Sequence, residues 1–112
     1  ETLSLTVDPE LVEQVLINLL KNAMEAVEGI PGAEVKMVAR IDERGRTVIQ
    51  VIDNGPGIVE EALDKIFIPF FTTKKEGSGI GLSLSRQIMR QHGGTLSVFS
   101  EPDTRTVFTL RF

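Results

Sequence analysis

The sequence contains no cysteine, which excludes disulfide bonds and thiolate metal sites. No apolar run reaches the roughly 18 residues that a membrane-spanning helix needs, and no signal peptide is visible. A net charge of −4 argues against nucleic acid as a main partner, since such proteins usually carry a basic face. We therefore expect a cytoplasmic domain that makes no membrane contact itself, although its parent protein can be membrane-anchored.

The 112 residues fit one ordinary domain, and a hydrophobic content of 41% with 25% charged residues is normal for a globular protein. The chain begins at Glu1 rather than at a methionine and opens directly into an apolar alternation. We interpret residues 1–112 as one domain of a longer protein.

Hydrophobic periodicity predicts the elements of this domain. Asp8 and Pro9 are suited to begin a helix. Apolar residues then recur at helical spacing at Val12, Val15, Leu16, Leu19, Leu20, Ala23, Met24 and Val27. The predicted elements are strand 3–7, helix 8–28, strands 35–42 and 47–53, a short helix 60–66, helix 79–92 with Leu84, Ile88 and Met89 on its inner face, and strands 95–100 and 106–112. This order favours helices packed on one face of a mixed, mostly antiparallel sheet.

Two asparagines on the first long helix form the first candidate site. Asn18 and Asn22 are four residues apart and share one face, away from the centre of the apolar positions. A solvated polar face is the simplest interpretation, but asparagine is a poor helix former. Its amide oxygen can also bind a hard cation without adding charge.

The segment Asp53-Asn54-Gly55-Pro56-Gly57-Ile58 follows a strand directly. Glycine allows a ligand to approach the backbone closely. A carboxylate at the end of an apolar strand needs a partner, and an exocyclic amino group such as that of adenine is suitable. A turn capped by an aspartate remains the alternative.

A second glycine-rich segment, Gly77-Ser78-Gly79-Ile80-Gly81-Leu82, opens a helix. Helix N-termini bind anions through free N–H groups, although flexible loops are also rich in glycine. It is neither a Walker A loop nor part of a dinucleotide-binding unit. The preceding segment is Phe67-Ile68-Pro69-Phe70-Phe71-Thr72-Thr73-Lys74-Lys75, whose aromatic residues can anchor a loop to the core and whose lysines can neutralise phosphates or simply be solvated.

Taken in this order, the segments resemble the GHKL ATPase superfamily, and within it the catalytic domain of histidine kinases. Residues 18–23 are similar to the family's N box, 53–57 to its G1 box, 67–71 to its F box and 77–82 to its G2 box. The residues around Thr72 to Lys75, and the short lid segment that precedes the G2 box, look most like those of the nitrogen-regulatory type of sensor kinase. The resemblance implies a Bergerat fold, a two-layer α/β sandwich.

The resemblance also implies roles for individual residues. Asn22 would bind Mg²⁺ at the phosphates of ATP, with Asn18 beside it, and Asp53 would accept a hydrogen bond from the adenine amino group. Thr106 would support the adenine site. The remaining implied ATP-binding positions are Gly55, Gly57, Ile58, Thr72, Thr73, Lys74, Lys75, Gly77, Ser78, Gly79, Ile80, Gly81 and Leu82. The implied partners are a dimerisation and phosphoacceptor domain of the same protein and, indirectly, a response regulator.

Several positions depart from the family pattern. Glu25 stands where many members have a basic residue, and Asp103-Thr104-Arg105 stands where a glycine is usual. Asn18 occupies the place of the glutamate that acts as a base in the gyrase and chaperone branches. Since an asparagine cannot accept a proton, we predict little intrinsic ATP hydrolysis.

His92 is the sole histidine of the sequence, and its place at a predicted helix C-terminus favours a structural role, where a cation suits the helix dipole. The phosphoacceptor is expected on another domain. The predicted function is therefore transfer of the γ-phosphate of Mg-ATP to that histidine. The alternatives are a regulatory nucleotide-binding module without activity and another GHKL-type protein kinase.

Overall fold

The computed structural model describes residues 8–69 and 81–112. The first helix, α1, spans Pro9–Ala26, and the Asp8 side chain accepts hydrogen bonds from the backbone N–H groups of Glu10 and Leu11 at 3.0 and 3.3 Å. This N-cap confirms the predicted start of the helix. The helix ends two residues earlier than predicted, because Val27 leaves helical geometry (ψ 3°) and Gly29 follows at a φ of 77°.

The described strands are β1 Val35–Ile41, β2 Thr47–Asp53, β3 Thr95–Glu101 and β4 Arg105–Arg111. They form a sheet in the order β1-β2-β4-β3, and every described pair is antiparallel. The four strand predictions within these ranges are confirmed to within one residue at each end. The predicted strand 3–7 lies outside the described residues.

Two further helices connect the halves of the sheet. The short helix α2 spans Glu60–Leu63, three residues less than predicted at its C-terminal end, and α3 spans Gly81–Gln91. The predicted start of α3 at residue 79 lies outside the described residues. Gly93 follows α3 at a φ of 73°, as the glycine pair after the helix suggested.

The core lies between the helices and one face of the sheet, which confirms the predicted two-layer α/β fold. It is built from Val15, Leu19, Ala23, Val51, Ala62, Ile66, Ile88, Met89, Leu96, Phe108 and Leu110. Leu84 was expected on the inner face of α3 but is exposed, and so is Met24, one of the apolar residues at helical spacing in α1. Met24 is 64% exposed, because the buried stripe of α1 runs along the other side of the helix, and Leu84 is 42% exposed. In α3 the inward position next to Leu84 is taken by Ser85, which is fully buried.

Candidate functional site

Asp53 is the last residue of β2, and its side chain points to the helix-covered face of the sheet, as Val51 does. It is only 4% exposed, and its Oδ1 accepts a hydrogen bond from the Gly55 N–H at 2.9 Å. Burial raises the pKa of the Asp53 carboxyl above its ordinary value, and the Gly55 hydrogen bond opposes this in part. A carboxylate has acceptor capacity beyond one hydrogen bond, so Asp53 can recognise a donor on a ligand.

A row of polar side chains extends from Asp53 across the sheet. Thr106 of β4 is paired with Asp53 in the strand register, and Ser100 of β3 is paired with Thr106. Thr106 is buried, like Asp53. The next row inward, Val51, Phe108 and Val98, belongs to or packs against the core. The polar row therefore marks the point where the hydrophobic core ends and the site begins.

The loop 54–58, which follows Asp53, is held on one side by the segment before β1. The Asn54 side chain accepts a hydrogen bond from the Glu34 N–H at 2.7 Å and donates one to the Gly32 carbonyl at 2.9 Å. Gly55 lies so close to α1 that a Cβ atom would stand 2.9 Å from the Ala26 carbonyl oxygen. Only glycine fits there, and its close neighbour is the helix α1, so the approach of a ligand to this backbone stays a prediction.

The other side of the loop 54–58 rests on the hairpin between β3 and β4. Gly57 has a φ of 79°, and a Cβ atom would stand 2.8 Å from both the Glu101 carbonyl oxygen and Ser100 Oγ. Ile58, which packs against the core, donates its N–H to Ser100 Oγ at 2.7 Å. The loop is thus fixed from both directions by hydrogen bonds and close packing.

Asp103 lies in the β3–β4 hairpin, in the segment where the family usually has a glycine. Its φ is 59°, the left-handed conformation that glycine adopts readily, and aspartate is among the few other residues that tolerate it. Its N–H donates to the Pro56 carbonyl at 2.7 Å. The hairpin therefore keeps a glycine-like turn without a glycine.

Asn18 and Asn22 lie on α1, and both are half-buried. A solvated polar face, the simplest interpretation of the sequence, does not describe Asn18. Its Nδ2 donates to the Oγ of Ser85 on α3 at 3.3 Å. A Cβ atom on Gly81, the first residue of α3, would stand 3.9 Å from the Asn18 side-chain carbon. The structure thus brings Asn18 together with the start of α3, where Leu82 packs against the core.

Eight of the predicted site residues lie outside the described part of the chain: Thr72, Thr73, Lys74, Lys75, Gly77, Ser78, Gly79 and Ile80. Phe70 and Phe71 of the predicted aromatic cluster lie outside it too. The third member, Phe67, packs against the core, which agrees with the anchoring interpretation.

His92 connects the end of α3 to the start of α1. Its Nε2 accepts the Asp8 N–H at 3.1 Å, and its Nδ1 lies 2.8 Å from the Ile88 carbonyl. A backbone N–H can only donate and a carbonyl can only accept, so in this arrangement Nε2 is the acceptor and Nδ1 faces the carbonyl as a donor. The predicted structural role agrees with this arrangement.

Sequence reasoning missed a groove on the outer side of α3. Its volume is about 440 Å³, and its described lining is Phe67, Pro69, Ser83, Leu84, Arg86, Gln87 and Arg90. The guanidinium of Arg86 lies 4.3 Å from the centre of the Phe67 ring. The signal was present in the alternation of Leu84 with arginines on one helix, but an inward Leu84 was the simpler interpretation.

Sequence reasoning also assigned no role to Asn54, Ser85 or Ser100. Within residues 8–69 and 81–112, no group of three or more acidic, histidine or cysteine side chains could hold a metal ion, and no helix is long and apolar enough to cross a membrane. The amide oxygens of Asn18 and Asn22 are neutral oxygen donors of the kind that a hard divalent cation accepts as ligands.

Comparison with known proteins identifies the family of the chain. The family model for the histidine kinase-, DNA gyrase B- and HSP90-like ATPases matches residues 7–112. The chain therefore belongs to this family, and it is an ATPase domain of the histidine kinase type.

Among its relatives is the sensor histidine kinase ZraS of Escherichia coli K12, which is 43% identical over 104 residues, or 92% of this chain and 22% of ZraS. The C4-dicarboxylate transport sensor protein DctB of Rhizobium meliloti is 42% identical over 96 residues, 85% of this chain and 15% of DctB. The chain thus spans less than a quarter of these relatives.

Solved structures show the same fold. The catalytic domain of the histidine kinase ThkA, in a nucleotide-free form, superposes with a TM-score of 0.81 at 36% identity, covering 95% of this chain and 68% of that one. ShkA in complex with AMPPNP gives a TM-score of 0.80 at 28% identity, covering 93% and 21%.

Proposed function

We propose that residues 1–112 bind Mg-ATP and present its γ-phosphate to a histidine on another domain of a longer sensor kinase. The observation that carries this proposal is the buried carboxylate of Asp53, which ends β2 beside a loop fixed from both sides. A buried carboxylate is costly unless a donor meets it. The adenine amino group is such a donor, and the ShkA relative was solved with an ATP analogue bound.

The adenine base would lie against the end of β2, with Asp53 accepting from its amino group. Thr106 lies next to Asp53 in the sheet, so its hydroxyl is available to the same pocket. Gly55 and Gly57 leave the loop without side chains at the places where the backbone is packed most closely. Ile58 supplies an apolar flank that is itself supported by the core.

The phosphates would extend toward the space between α1 and the start of α3. Asn22 is the proposed Mg²⁺ ligand, with Asn18 beside it, because amide oxygens suit a hard cation that keeps most of its ligands as water and phosphate. The cation would neutralise charge on the transferred phosphoryl group. Ser85 holds the amide nitrogen of Asn18, so the Asn18 oxygen is the end of the amide that points away from Ser85.

The glycine-rich segment completes the proposed phosphate site. Gly77, Gly79 and Gly81 would bring backbone N–H groups to the phosphates, with Ser78, Ile80 and Leu82 between them. Thr72, Thr73, Lys74 and Lys75 would supply hydroxyl groups and positive charge before this segment. These assignments rest on the sequence motif and on the helix start at Gly81.

The phosphate acceptor would be a histidine outside this chain. Asn18 has no basic group to activate water, and both ring nitrogens of His92 already contact backbone groups, those of Asp8 and Ile88. Catalysis would then consist of positioning ATP and stabilising charge. Because ATP is the phosphoryl donor, we place this domain in the cytoplasm, with the response regulator as an indirect partner.

We propose that the helix carrying the acceptor histidine docks in the groove along α3. The groove begins next to the proposed phosphate site, since Ser83 and Leu84 lie in the first turn of α3, two and three residues after Gly81. It offers the apolar surfaces of Phe67 and Leu84, flanked by Arg86 and Arg90. This combination matches an amphipathic helix with an acidic residue near its histidine. The relatives have more than three quarters of their length outside the matched region, which leaves ample chain for such a helix.

Two measurements test the proposed function. Calorimetric titration of this domain with ATP and Mg²⁺ should show saturable binding at one site. The parent protein, incubated with γ-labelled ATP, should acquire an acid-labile phosphohistidine, and Leu84→Asp should reduce labelling without reducing ATP affinity. Binding without any phosphohistidine would instead support a regulatory nucleotide-binding module. No ATP binding at all would overturn the proposal.

A further inference from the structure

Ser100 occupies the third position of the polar row that begins with Asp53 and Thr106. The strand register pairs Asp53 with Thr106 and Thr106 with Ser100, so the three side chains lie side by side on the helix-covered face of the sheet. The first two are buried and have proposed roles at the adenine base. Ser100 has no such role, although it is half-buried at the same edge.

The Ser100 hydroxyl contacts the loop 54–58 through the backbone of Ile58. The Ile58 N–H donates to Ser100 Oγ at 2.7 Å, and the same hydroxyl lies 3.5 Å from the Ile58 carbonyl oxygen. A hydroxyl can donate and accept at once, so one serine can hold both backbone groups of a single loop residue. The hydroxyl is therefore directed at the loop and not at the space that a ligand would occupy.

The neighbouring contacts leave the loop little freedom to shift sideways. Asp103 donates its N–H to the Pro56 carbonyl at 2.7 Å, and Gly57 packs so closely that a Cβ atom would overlap Ser100 Oγ. Pro56 and Ile58 are thus both hydrogen-bonded to the β3–β4 hairpin, and Gly57 packs against the hairpin between them. Among these contacts, the one made by Ser100 is the contact that a side-chain substitution can remove.

We propose that Ser100 is a positioning residue for nucleotide recognition. Its hydroxyl holds the Ile58 backbone, and this contact sets the position of the loop 54–58 against which the adenine base would lie. Because Gly55 in the same loop donates to Asp53 Oδ1 at 2.9 Å, the contact also stabilises the orientation of the Asp53 carboxylate. The inference rests on the proposed ATP binding.

The test compares ATP with inosine triphosphate, which has the same phosphates but lacks the amino group that Asp53 would bind. We expect Ser100→Ala to weaken ATP binding about three- to tenfold, the size of one neutral hydrogen bond. Binding of inosine triphosphate should weaken less, so the preference for ATP should fall. Ser97→Ala is the matched control, since Ser97 lies on the same strand and is exposed on the opposite face.

A second pair of variants separates the hydroxyl from the shape of the side chain. Ser100→Thr keeps the hydroxyl and should retain ATP affinity close to that of the unchanged domain. Ser100→Val gives a side chain of nearly the same shape as threonine but without the hydroxyl, and it should behave like Ser100→Ala. In the unchanged domain, hydrogen exchange of the Ile58 amide should be slow, and Ser100→Val should accelerate it.

Each contrary result has a distinct meaning. If the unchanged domain binds no ATP, the proposed function fails. If it binds ATP and Ser100→Ala and Ser100→Val bind it equally well, Ser100 does not position the loop. An equal loss of affinity for both nucleotides, together with a lower melting temperature, would indicate a purely structural role and overturn the inference. Rapid exchange of the Ile58 amide in the unchanged domain would overturn it without any variant.

Discussion

The two ends of the site are built in different ways. At the proposed adenine end, a loop of the main chain is fixed between the segment before β1 and the β3–β4 hairpin, and the group proposed to recognise the base is one buried carboxylate. At the phosphate end, the groups are half-buried amides on α1, linked to α3 by the hydrogen bond from Asn18 to Ser85. In the proposed site, the base would therefore meet a surface that is already fixed by hydrogen bonds, whereas the phosphates and Mg²⁺ would meet the side chains of two helices.

The largest expected effect tests how firmly the adenine end is packed. Gly57→Ala should destabilise the domain by about 2–4 kcal/mol, because it combines strain at a positive φ with overlap against the Glu101 carbonyl. Gly45→Ala is the matched control, since Gly45 has a φ of 78° but open space around it, and it should cost only the strain, about 1–2 kcal/mol. Thermal or urea unfolding measures both. Equal losses of unfolding free energy in Gly57→Ala and Gly45→Ala would show that the loop 54–58 is not closely packed.

The second prediction concerns the carboxylate itself. Asp53→Asn should weaken ATP binding about tenfold or more, because the Gly55 N–H keeps the amide oxygen and the new amide nitrogen would face the adenine amino group, donor against donor. Asp64→Asn, at an exposed position, should change nothing. Titration calorimetry gives the affinities. Retained ATP affinity in Asp53→Asn would refute the adenine assignment.

The raised pKa of Asp53 also predicts how Asp53→Asn changes the melting temperature at different pH values. Burial favours the protonated carboxyl, so the stabilising contribution of this group is complete below its ordinary pKa of 3.8 and is lost as the pH rises through its raised value. Asp53→Asn should therefore melt at a higher temperature than the unchanged domain near neutral pH, with a smaller difference toward pH ~4. Asp42 has the opposite tendency, since the Arg46 N–H and further hydrogen bonds lower its pKa. A melting difference independent of pH would contradict this.

At the phosphate end, Asn22→Ala should lower Mg-ATP affinity about three- to tenfold while leaving metal-free nucleotide binding nearly unchanged. The adenine contacts remain in this variant, so only the part of binding that depends on Mg²⁺ should weaken. Gln14→Ala, an exposed position on the same helix, serves as the control. If Mg-ATP affinity and phosphohistidine formation are both unaffected by Asn22→Ala, the metal assignment is wrong.

The smallest effect is expected in the hairpin turn. Asp103→Gly should change the free energy of unfolding by about 0.5 kcal/mol or less, because glycine adopts a φ of 59° easily. Asp103→Ala should lose about 1–2 kcal/mol, the cost of the left-handed conformation for an ordinary residue. Chemical denaturation distinguishes the two. A loss in Asp103→Gly as large as in Asp103→Ala would show that the aspartate side chain, and not the turn, is what the hairpin needs.

Predictions that depend on neighbouring residues were accurate, whereas those that depend on residues distant in sequence were less so. The start of α1 was predictable because Asp8 and Pro9 act within one turn of each other, and the glycine-rich breaks are equally local. Leu84 was predicted inward because it has the right spacing on α3. The inward place beside it is taken by Ser85, which receives a hydrogen bond from Asn18 on the distant helix α1.

The sequence by itself determined most of the elements and the family, and it named the groups proposed to recognise ATP, because periodicity, caps and motif spacing are properties of short segments. Only the tertiary structure decided how those groups meet. Asp53, Thr106 and Ser100 come from three strands, and their alignment in one row depends on strand order and register across the whole sheet. The position of Asn18 beside Ser85 depends likewise on how α1 and α3 pack over that sheet.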